Sequence, residues 1–422
     1  MKKWLKFAAP TFASLILAGA IVPTVYAEKE VLEFYHGYHQ DESEWPVAKT
    51  MRDLFDEFAK EHADGEVEFK PIPVSGSLVD IMNNKVASGA FPDIIDLAGQ
   101  SLSLAAIEQN LVMDLKPYID EKKLQDNVGL NYTQNMVDGK LYTVHDQLFT
   151  MGLWYNQDIF KKAGAKEPQD WVTWKDFSEA MATVRKVDGI YAYGAGETSI
   201  RLLNTYLGMS EEGRALLNQP LTNEAIDSPA FTEALTAVMT EVNANGSTHA
   251  GGTADVYSAD FAQGKSAVFI NGVWAAGGMK DNKALQPGLY PGGVAISAAG
   301  GGITISNQLS EPKKKLALEF LEYMTSEKVQ KVIFEKVGAN PANSKVDIDG
   351  IVKANSDPTV QILGKALKQV HGANQTVTTI ANAWGGDVKD ALINALTESA
   401  ADGVNIEQKV QETKDVLKAL IN

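Results

Sequence analysis

Apolar and polar residues alternate along the chain with two different periods, one typical of helices and one typical of strands. After Pro46, apolar residues recur at the spacing of a single helical face. They are Val47, Met51, Leu54, Phe55 and Phe58. The same spacing returns after Ser228-Pro229, in Phe231, Leu235, Val238, Met239 and Val242. We predict two helices that bury these faces in a core.

Short β-rich stretches lie between the helical segments. Leu78–Ser88 is a predicted helix with Gly89 as its stop, and Thr173 and Asp176 have the spacing of a capping box that begins another. The strand-like stretches include Val31–Tyr35, Val67–Ile72 and Asp93–Leu97. This alternation predicts an α/β fold with helices on both faces of a sheet.

The first residues have the pattern of an export signal. Lys2, Lys3 and Lys6 precede an apolar run, and small residues follow at Val25-Tyr26-Ala27. We predict a signal peptide of residues 1–27, cleaved after Ala27. A membrane anchor is the alternative. It is disfavoured because the run contains Pro and hydroxyl residues and is shorter than the roughly 20 residues that a span needs.

Composition narrows the class of function. Removal of residues 1–27 takes away three lysines and no acid, which changes the net charge from −16 to −19. So acidic a protein is a poor nucleic-acid binder, because phosphate binding needs clustered Lys and Arg. The chain has no cysteine, which excludes disulfides, thiolate metal sites and the acylated cysteine of a lipoprotein. We expect an exported protein that is free in a periplasm or held at a surface by other means.

Motifs between Asp138 and Phe177 resemble one protein family. Asp-Gly-Lys-Leu-Tyr is followed by Gly-Leu-Trp-Tyr-Asn from Gly152, and then by Trp-Val-Thr-Trp-Lys-Asp-Phe from Trp171. This succession resembles the crossover of the first extracellular solute-binding family, which includes maltose-binding protein. Further blocks follow the order of that family: Val31–Gly37, Asp53–Lys60, Pro92–Ile95, Phe261–Trp274, Gly300–Ser306, Leu316–Thr325 and Gly338–Ala342.

The resemblance implies a two-lobed periplasmic-binding-protein fold of type II, with a ligand cleft between the lobes. The N-terminal lobe would comprise residues 28–147 plus 299–337, and the C-terminal lobe 148–298 plus 338–422. Three hinge crossings would join them, near Asp146–Leu148, Ala298–Gly302 and Val337–Pro341. Gly300, Gly301 and Gly302 in the second crossing suit a hinge because glycine tolerates changes in φ and ψ. Gly301 is also a candidate ligand contact. A tight turn without motion is the alternative.

A cleft for a neutral sugar needs aromatic faces and a few polar groups that bond hydroxyls. By the resemblance, Trp274 and Trp384 would present aromatic rings from the C-terminal lobe, and each has a core position as its alternative. Trp154, Tyr155, Trp171 and Trp174 match framework positions and are predicted to be core.

Polar candidates come from the strand ends, where open α/β sheets bind ligands. Gln100 follows the strand Asp93–Ala98, and Tyr38 and His39 leave the first strand at the same edge. Asp146 and Gln147 at the first crossing could bond sugar hydroxyls or cap the hairpin. Glu197 is a further candidate. Of the four arginines only Arg201 lies near this cleft, which favours a neutral ligand over an anionic one.

The resemblance implies a monomeric substrate-binding protein that captures a di- or oligosaccharide and delivers it to an ABC permease. It implies no catalytic residue and no cofactor. His36 and His39 are weak metal candidates because no carboxylate pair of fixed spacing accompanies them. A secreted glycoside hydrolase is one alternative, and it would need two carboxylates across the sugar. Others are a receptor for a polyol or metal chelate, and a receptor that reports to a membrane sensor.

Overall fold

The structure is a computed structural model that describes residues 29–248 and 253–421. The predicted signal peptide, residues 1–27, lies outside these ranges. Within them, no helix combines the length and the apolar character that crossing a membrane requires.

The strands are short, and several sheets share them. In chain order they are β1 Glu30–His36, β2 Val67–Pro73, β3 Ile94–Gly99, β4 Met136–Val137, β5 Lys140–Leu141, β6 Gln147–Met151, β7 Leu153–Asn156, β8 Tyr193–Gly194, β9 Gly246–Ser247, β10 Val268–Phe269, β11 Leu285–Gly288, β12 Val294–Ala298, β13 Gly301–Ile305, β14 Asn340–Pro341 and β15 Gln375–Val377.

Helices fill most of the connections between strands. They are α1 Pro46–Glu61, α2 Leu78–Ala87, α3 Leu104–Glu108, α4 Lys116–Lys122, α5 Gln125–Val128, α6 Asn131–Gln134, α7 Gln157–Ala163, α8 Trp174–Val184, α9 Ile200–Met209, α10 Glu211–Leu217, α11 Asn223–Asp227, α12 Pro229–Asn245, α13 Ala254–Ala262, α14 Ala276–Met279, α15 Glu311–Met324, α16 Glu327–Val332, α17 Ile348–Ala354, α18 Pro358–His371, α19 Ile380–Trp384, α20 Gly386–Ser399 and α21 Ile406–Ile421.

The sequence predicted these local elements closely. The predicted strands correspond to β1, β2 and β3, and the predicted helix Leu78–Ser88 to α2. The left-handed φ of +75° at Gly89 follows the end of α2 and explains its stop. The capping box is present, with the Thr173 hydroxyl accepting from the backbone N–H of Asp176. These predictions are confirmed.

The described residues form two four-stranded sheets. The first has the order β13–β3–β1–β2, in which β1 is parallel to β2 and β3, while β13 is antiparallel to β3. The second has the order β14–β6–β12–β15, and β6 runs antiparallel to both of its neighbours. A third, antiparallel sheet has the order β10–β7–β11. The α/β class is therefore confirmed.

The predicted apolar faces lie in hydrophobic cores beside these sheets. Phe55 and Phe58 of α1 are buried against Phe34 of β1 and Phe320 of α15, with the Phe34 and Phe55 ring centroids 4.9 Å apart. The predicted residues of α12 are buried in a separate core that also contains Phe177 of α8. Val47 is the exception, since it is only half-buried.

Candidate functional site

Trp274 is the more exposed of the two predicted cleft tryptophans. Its side chain follows β10 on a 3₁₀ turn, and the residue is 37% exposed. The Trp154 indole of β7 donates to the carbonyl of Gly272 at 2.9 Å, which fixes the start of this turn. A Cβ at Gly272 would lie 2.1 Å from the Trp274 ring. Glycine there lets the ring lie back over the backbone.

Phe149 of β6 connects Trp274 with the first sheet. Its ring meets the Trp274 ring edge-on at 5.7 Å and stacks on His145 at 5.4 Å. A Cβ at Gly99, the last residue of β3, would lie 2.2 Å from the Phe149 ring. The two bare glycine backbones of β3 and the second crossing, Gly99 and Gly300, thus lie against this ring. Residues from both large sheets meet at one aromatic group.

Arg201 covers the Trp274 ring. Its guanidinium carbon is 5.9 Å from the ring centroid, within the range of a cation–π interaction. Nη1 donates to the carbonyl of Ile270 at 2.6 Å, which anchors the side chain of this α9 residue. Beside it, the buried hydroxyl of Tyr290 has no hydrogen-bond partner among the described residues, and its pKa is raised by burial. Within the described residues the guanidinium makes no hydrogen bond besides the one to Ile270, so its remaining N–H groups are candidates for bonding a ligand.

Tyr38, Asp146 and Gln147 lie together at the first crossing. The Gln147 amide donates to the Tyr38 hydroxyl at 3.2 Å, and the Tyr38 ring stacks on Trp45 at 5.5 Å. Gln147 is half-buried, whereas Asp146 is only 3% exposed. The carboxyl of Asp146 is enclosed by protein together with that of Asp96. Gln147 is thus the more accessible of the two crossing residues.

Gln100 and Gly301 meet through their backbones. A Cβ at Gly301 would lie 2.0 Å from the Gln100 carbonyl oxygen, and one at Gly302 would lie 2.3 Å from the Cα of His145. None of the residues Gly300–Gly302 has a positive φ. The glycine run therefore permits close approach of the crossings, a reason that the sequence analysis did not anticipate. The side chain of Gln100 is exposed.

His39 and Glu197 are exposed. Glu197 is near enough to Arg201 for its charge to oppose the lowering of the Arg201 pKa by burial. His39 Nδ1 lies 3.1 Å from the carbonyl of Gly37, two residues earlier. The Glu197 carboxylate accepts from the backbone N–H of Ala254 at 2.9 Å. Both residues remain available to solvent, and their ligand roles stay predictions.

Trp384 turns its ring into the protein. It is 9% exposed, its indole N–H donates to the carbonyl of Leu216 at 3.1 Å, and its ring centroid is 5.7 Å from that of Phe231. The structure thus places it in the core, the alternative noted above. Its helix does reach the second crossing, because the Asn382 amide donates to the Ala299 carbonyl. Asn382 is a candidate that the sequence analysis missed.

Phe149 and Asp96 were also absent from the sequence-based candidates. Asp96 lies within the predicted strand Asp93–Leu97, and Phe149 lies between two motifs of the resemblance, so neither was marked as a strand end. Phe149 is the central residue of β6. Its partial burial, which points to a role at the surface, is visible only in the structure. The framework prediction is confirmed for Trp154, Tyr155 and Trp171, which are buried; Trp174 is only partly so.

Metal binding has little support in the geometry. Across residues 29–248 and 253–421, no three His, Asp or Glu side chains are grouped so that they could hold a metal ion. His36 and His39 do not form such a site. His36 is buried, with Nδ1 accepting from the backbone N–H of Tyr38, whereas His39 is exposed.

Comparisons with known proteins agree on one family. The family model described as bacterial extracellular solute-binding protein matches residues 53–361. A solved Streptococcus pneumoniae solute-binding protein in complex with the blood group A-trisaccharide is 66% identical, with a TM-score of 0.89 over 92% of this chain and 100% of that one.

Curated relatives are more distant. An arabinooligosaccharide-binding protein of Bacillus subtilis is 27% identical over 312 residues, which span 68% of this chain and 69% of the relative. An sn-glycerol-3-phosphate-binding periplasmic protein of Brucella abortus is 25% identical over 389 residues, 83% of this chain and 86% of the relative.

Proposed function

The chain belongs to the bacterial extracellular solute-binding protein family, and on that premise we propose that it captures a neutral di- or oligosaccharide and delivers it to an ABC importer. Trp274 carries the proposal, because it remains 37% exposed although Phe149 and Arg201 contact its ring. An aromatic face of this kind stacks on the apolar face of a sugar ring. The 66% identical protein whose structure contains the blood group A-trisaccharide supports an oligosaccharide as the ligand class.

The capture mechanism rests on two lobes that close over the ligand. The proposed lobes are residues 28–147 plus 299–337 and residues 148–298 plus 338–422. Support comes from the second sheet, in which β14, β6 and β12 are neighbours. These strands contain or adjoin all three proposed crossings, so the crossings lie side by side. A ligand that contacts both lobes favours the closed state by its differential affinity.

The polar side of the site would come from Gln147, Tyr38, Gln100 and those N–H groups of Arg201 that do not bond Ile270. These groups belong to strand ends and to α9, and they differ in exposure. Each could bond a sugar hydroxyl without a formal charge on the ligand. His39 belongs to the other proposed lobe and would approach Trp274 only on closure, whereas Glu197 and the segment that carries Trp384 lie in the same proposed lobe as Trp274. Export to a periplasm and docking of the closed form on a permease complete the proposal.

A hydrolase is disfavoured by the family, whose members are solute-binding proteins. The neighbouring carboxyls Asp96 and Asp146 are 4% and 3% exposed, so they are not presented to a sugar as an acid and a nucleophile would be. A phosphate ligand, as in the name of the Brucella relatives, would need a stronger cationic clamp than Arg201, which already donates to Ile270.

A ligand screen with three arms tests the proposal. The mature protein is melted with the blood group A-trisaccharide, an arabino-oligosaccharide or sn-glycerol 3-phosphate, and each mixture is then analysed for cleavage products. We expect stabilisation by a neutral oligosaccharide without products, about 2.7 kcal/mol at a concentration of about 100 times Kd. Products would overturn the receptor function. Stabilisation by glycerol phosphate alone would overturn the sugar assignment.

A further inference from the structure

Two carboxyl groups whose charges act on each other are buried where the first sheet meets the first crossing. Asp96 is in β3 and is 4% exposed; Asp146 directly precedes β6 and is 3% exposed. Asp96 Oδ1 accepts from the backbone N–H of Ala98 at 2.9 Å. Asp146 Oδ1 is fully enclosed and has no hydrogen-bond partner in the described part of the chain. An ionised carboxylate would be costly in this environment.

The groups around the pair do not neutralise it. His145 Nε2 is 3.9 Å from Asp146 Oδ1, too far for a hydrogen bond. Burial lowers the pKa of His145 and that of His36 to about 4, so both imidazoles are uncharged near neutral pH. The guanidinium of Arg52, from α1, donates to main-chain carbonyls, among them that of Tyr38, and not to either carboxyl. Tyr38 itself is buried and its pKa is raised.

We propose that Asp96 and Asp146 hold one shared proton at neutral pH and that this proton locks the junction between the first sheet and the crossing strands. Asp96 belongs to the first sheet. The main-chain carbonyl of Asp146 accepts from the Gln330 amide of α16 at 2.8 Å and from the N–H of Ala342, just past the third crossing, at 3.4 Å. Loss of the shared proton would therefore place a second negative charge where two crossings and the first sheet meet.

The direction of the pKa shifts of both carboxyls supports a retained proton. Burial raises the pKa of Asp146, the charge of Asp96 raises it further, and the Gln147 amide offsets only part of the effect. Burial likewise raises the pKa of Asp96. Two buried like charges that repel each other cannot both ionise at low cost, so one proton is retained by the pair.

The direction of the pH dependence follows from linkage. A raised pKa means that the folded state holds the proton more tightly than the unfolded chain does. The stabilisation is therefore full in acid, falls as pH rises above the ordinary aspartate range of about 4, and is gone once the folded pair has lost its proton. One proton changes the unfolding constant by up to about tenfold per pH unit in that window.

Unfolding of the ligand-free mature protein between about pH 5 and pH 9 tests the lock. The variants are Asp146→Asn and Asp96→Asn. Each keeps the shape of the side chain and removes one of the two titrating carboxyls. The control is Asp402→Asn, which makes the same change of charge at an exposed position. We expect the wild type and the control to lose stability as pH rises. Either pair variant should flatten this slope and exceed the wild type in stability at alkaline pH.

Infrared difference spectroscopy provides a readout that does not depend on the stability of the variants. The wild type at neutral pH should show the carbonyl stretch of a protonated carboxylic acid, and this band should disappear on alkaline titration while the protein remains folded. Absence of the band at neutral pH, or a pH slope in Asp146→Asn equal to that of the wild type, would overturn the proposal. The experiment contains no ligand, so its outcome is separate from that of the sugar assignment.

Discussion

Replacement of Trp274 and of Trp384 by alanine should have opposite consequences, although the sequence placed both in the cleft. Trp274 is 37% exposed and touches the Phe149 ring and the Arg201 guanidinium. Trp384 is 9% exposed, packs on Phe231 and has its indole N–H bonded to a backbone carbonyl. The same substitution thus removes a presented surface in one case and a piece of core in the other.

The magnitudes follow from these surroundings. Trp384→Ala should cost about 3–5 kcal/mol of folding free energy, the range for large aromatics removed from a core, and should lower the melting temperature by roughly 4–6 °C in a chain of this length. Trp274→Ala loses one aromatic pair and one cation–π contact, about 1–2 kcal/mol of stability. It should weaken sugar binding by about 1–3 kcal/mol, roughly 5-fold to 150-fold in Kd.

Calorimetry measures both quantities on the same samples. Scanning calorimetry gives the melting temperature of each ligand-free variant, and titration with the oligosaccharide found in the screen gives Kd at a temperature where both variants are folded. Trp384→Ala should bind with nearly wild-type affinity below its transition. The reasoning is refuted if Trp384→Ala melts like the wild type but binds weakly, or if Trp274→Ala melts early and binds normally.

Three further predictions follow from the crossings and the helix ends. Saturating oligosaccharide should lower the radius of gyration in small-angle scattering, and an unchanged curve would contradict lobe closure. Gly301→Ala should destabilise the protein by about 1–3 kcal/mol because its Cβ would lie 2.0 Å from the Gln100 carbonyl oxygen, whereas Gly278→Ala, with open space at its Cβ, should be neutral or stabilising in urea unfolding. Ser228→Ala should cost about 0.5–2 kcal/mol in the same assay because its hydroxyl caps the N–H of Phe231, and an unchanged midpoint would show that the cap contributes little.

Much of the fold was predictable because its signals are local. The faces of α1 and α12, the capping box at Thr173 and the stop at Gly89 each depend on residues within a few turns of one another. The order of the motif blocks identified the family, since it needs only the succession of residues along the chain. The exposed Trp274 followed from that resemblance.

The tertiary structure alone decided which way side chains point and which distant residues meet. The small residues beside Trp384 suggested an open ring face, but the packing partner that holds the ring, Phe231, is more than a hundred residues earlier in the chain. The glycines of the second crossing suggested flexibility, yet each lies close to backbone or side chains from earlier segments.

The carboxyl pair shows the same limit most clearly. Asp96 and Asp146 are fifty positions apart and carry no shared motif. Their charges act on each other because β3 ends beside the first crossing, and the proposed shared proton depends on how completely the surrounding elements exclude water. A sequence specifies local periodicity and chemical type directly, whereas burial and like-charge contact are properties of the assembled sheets.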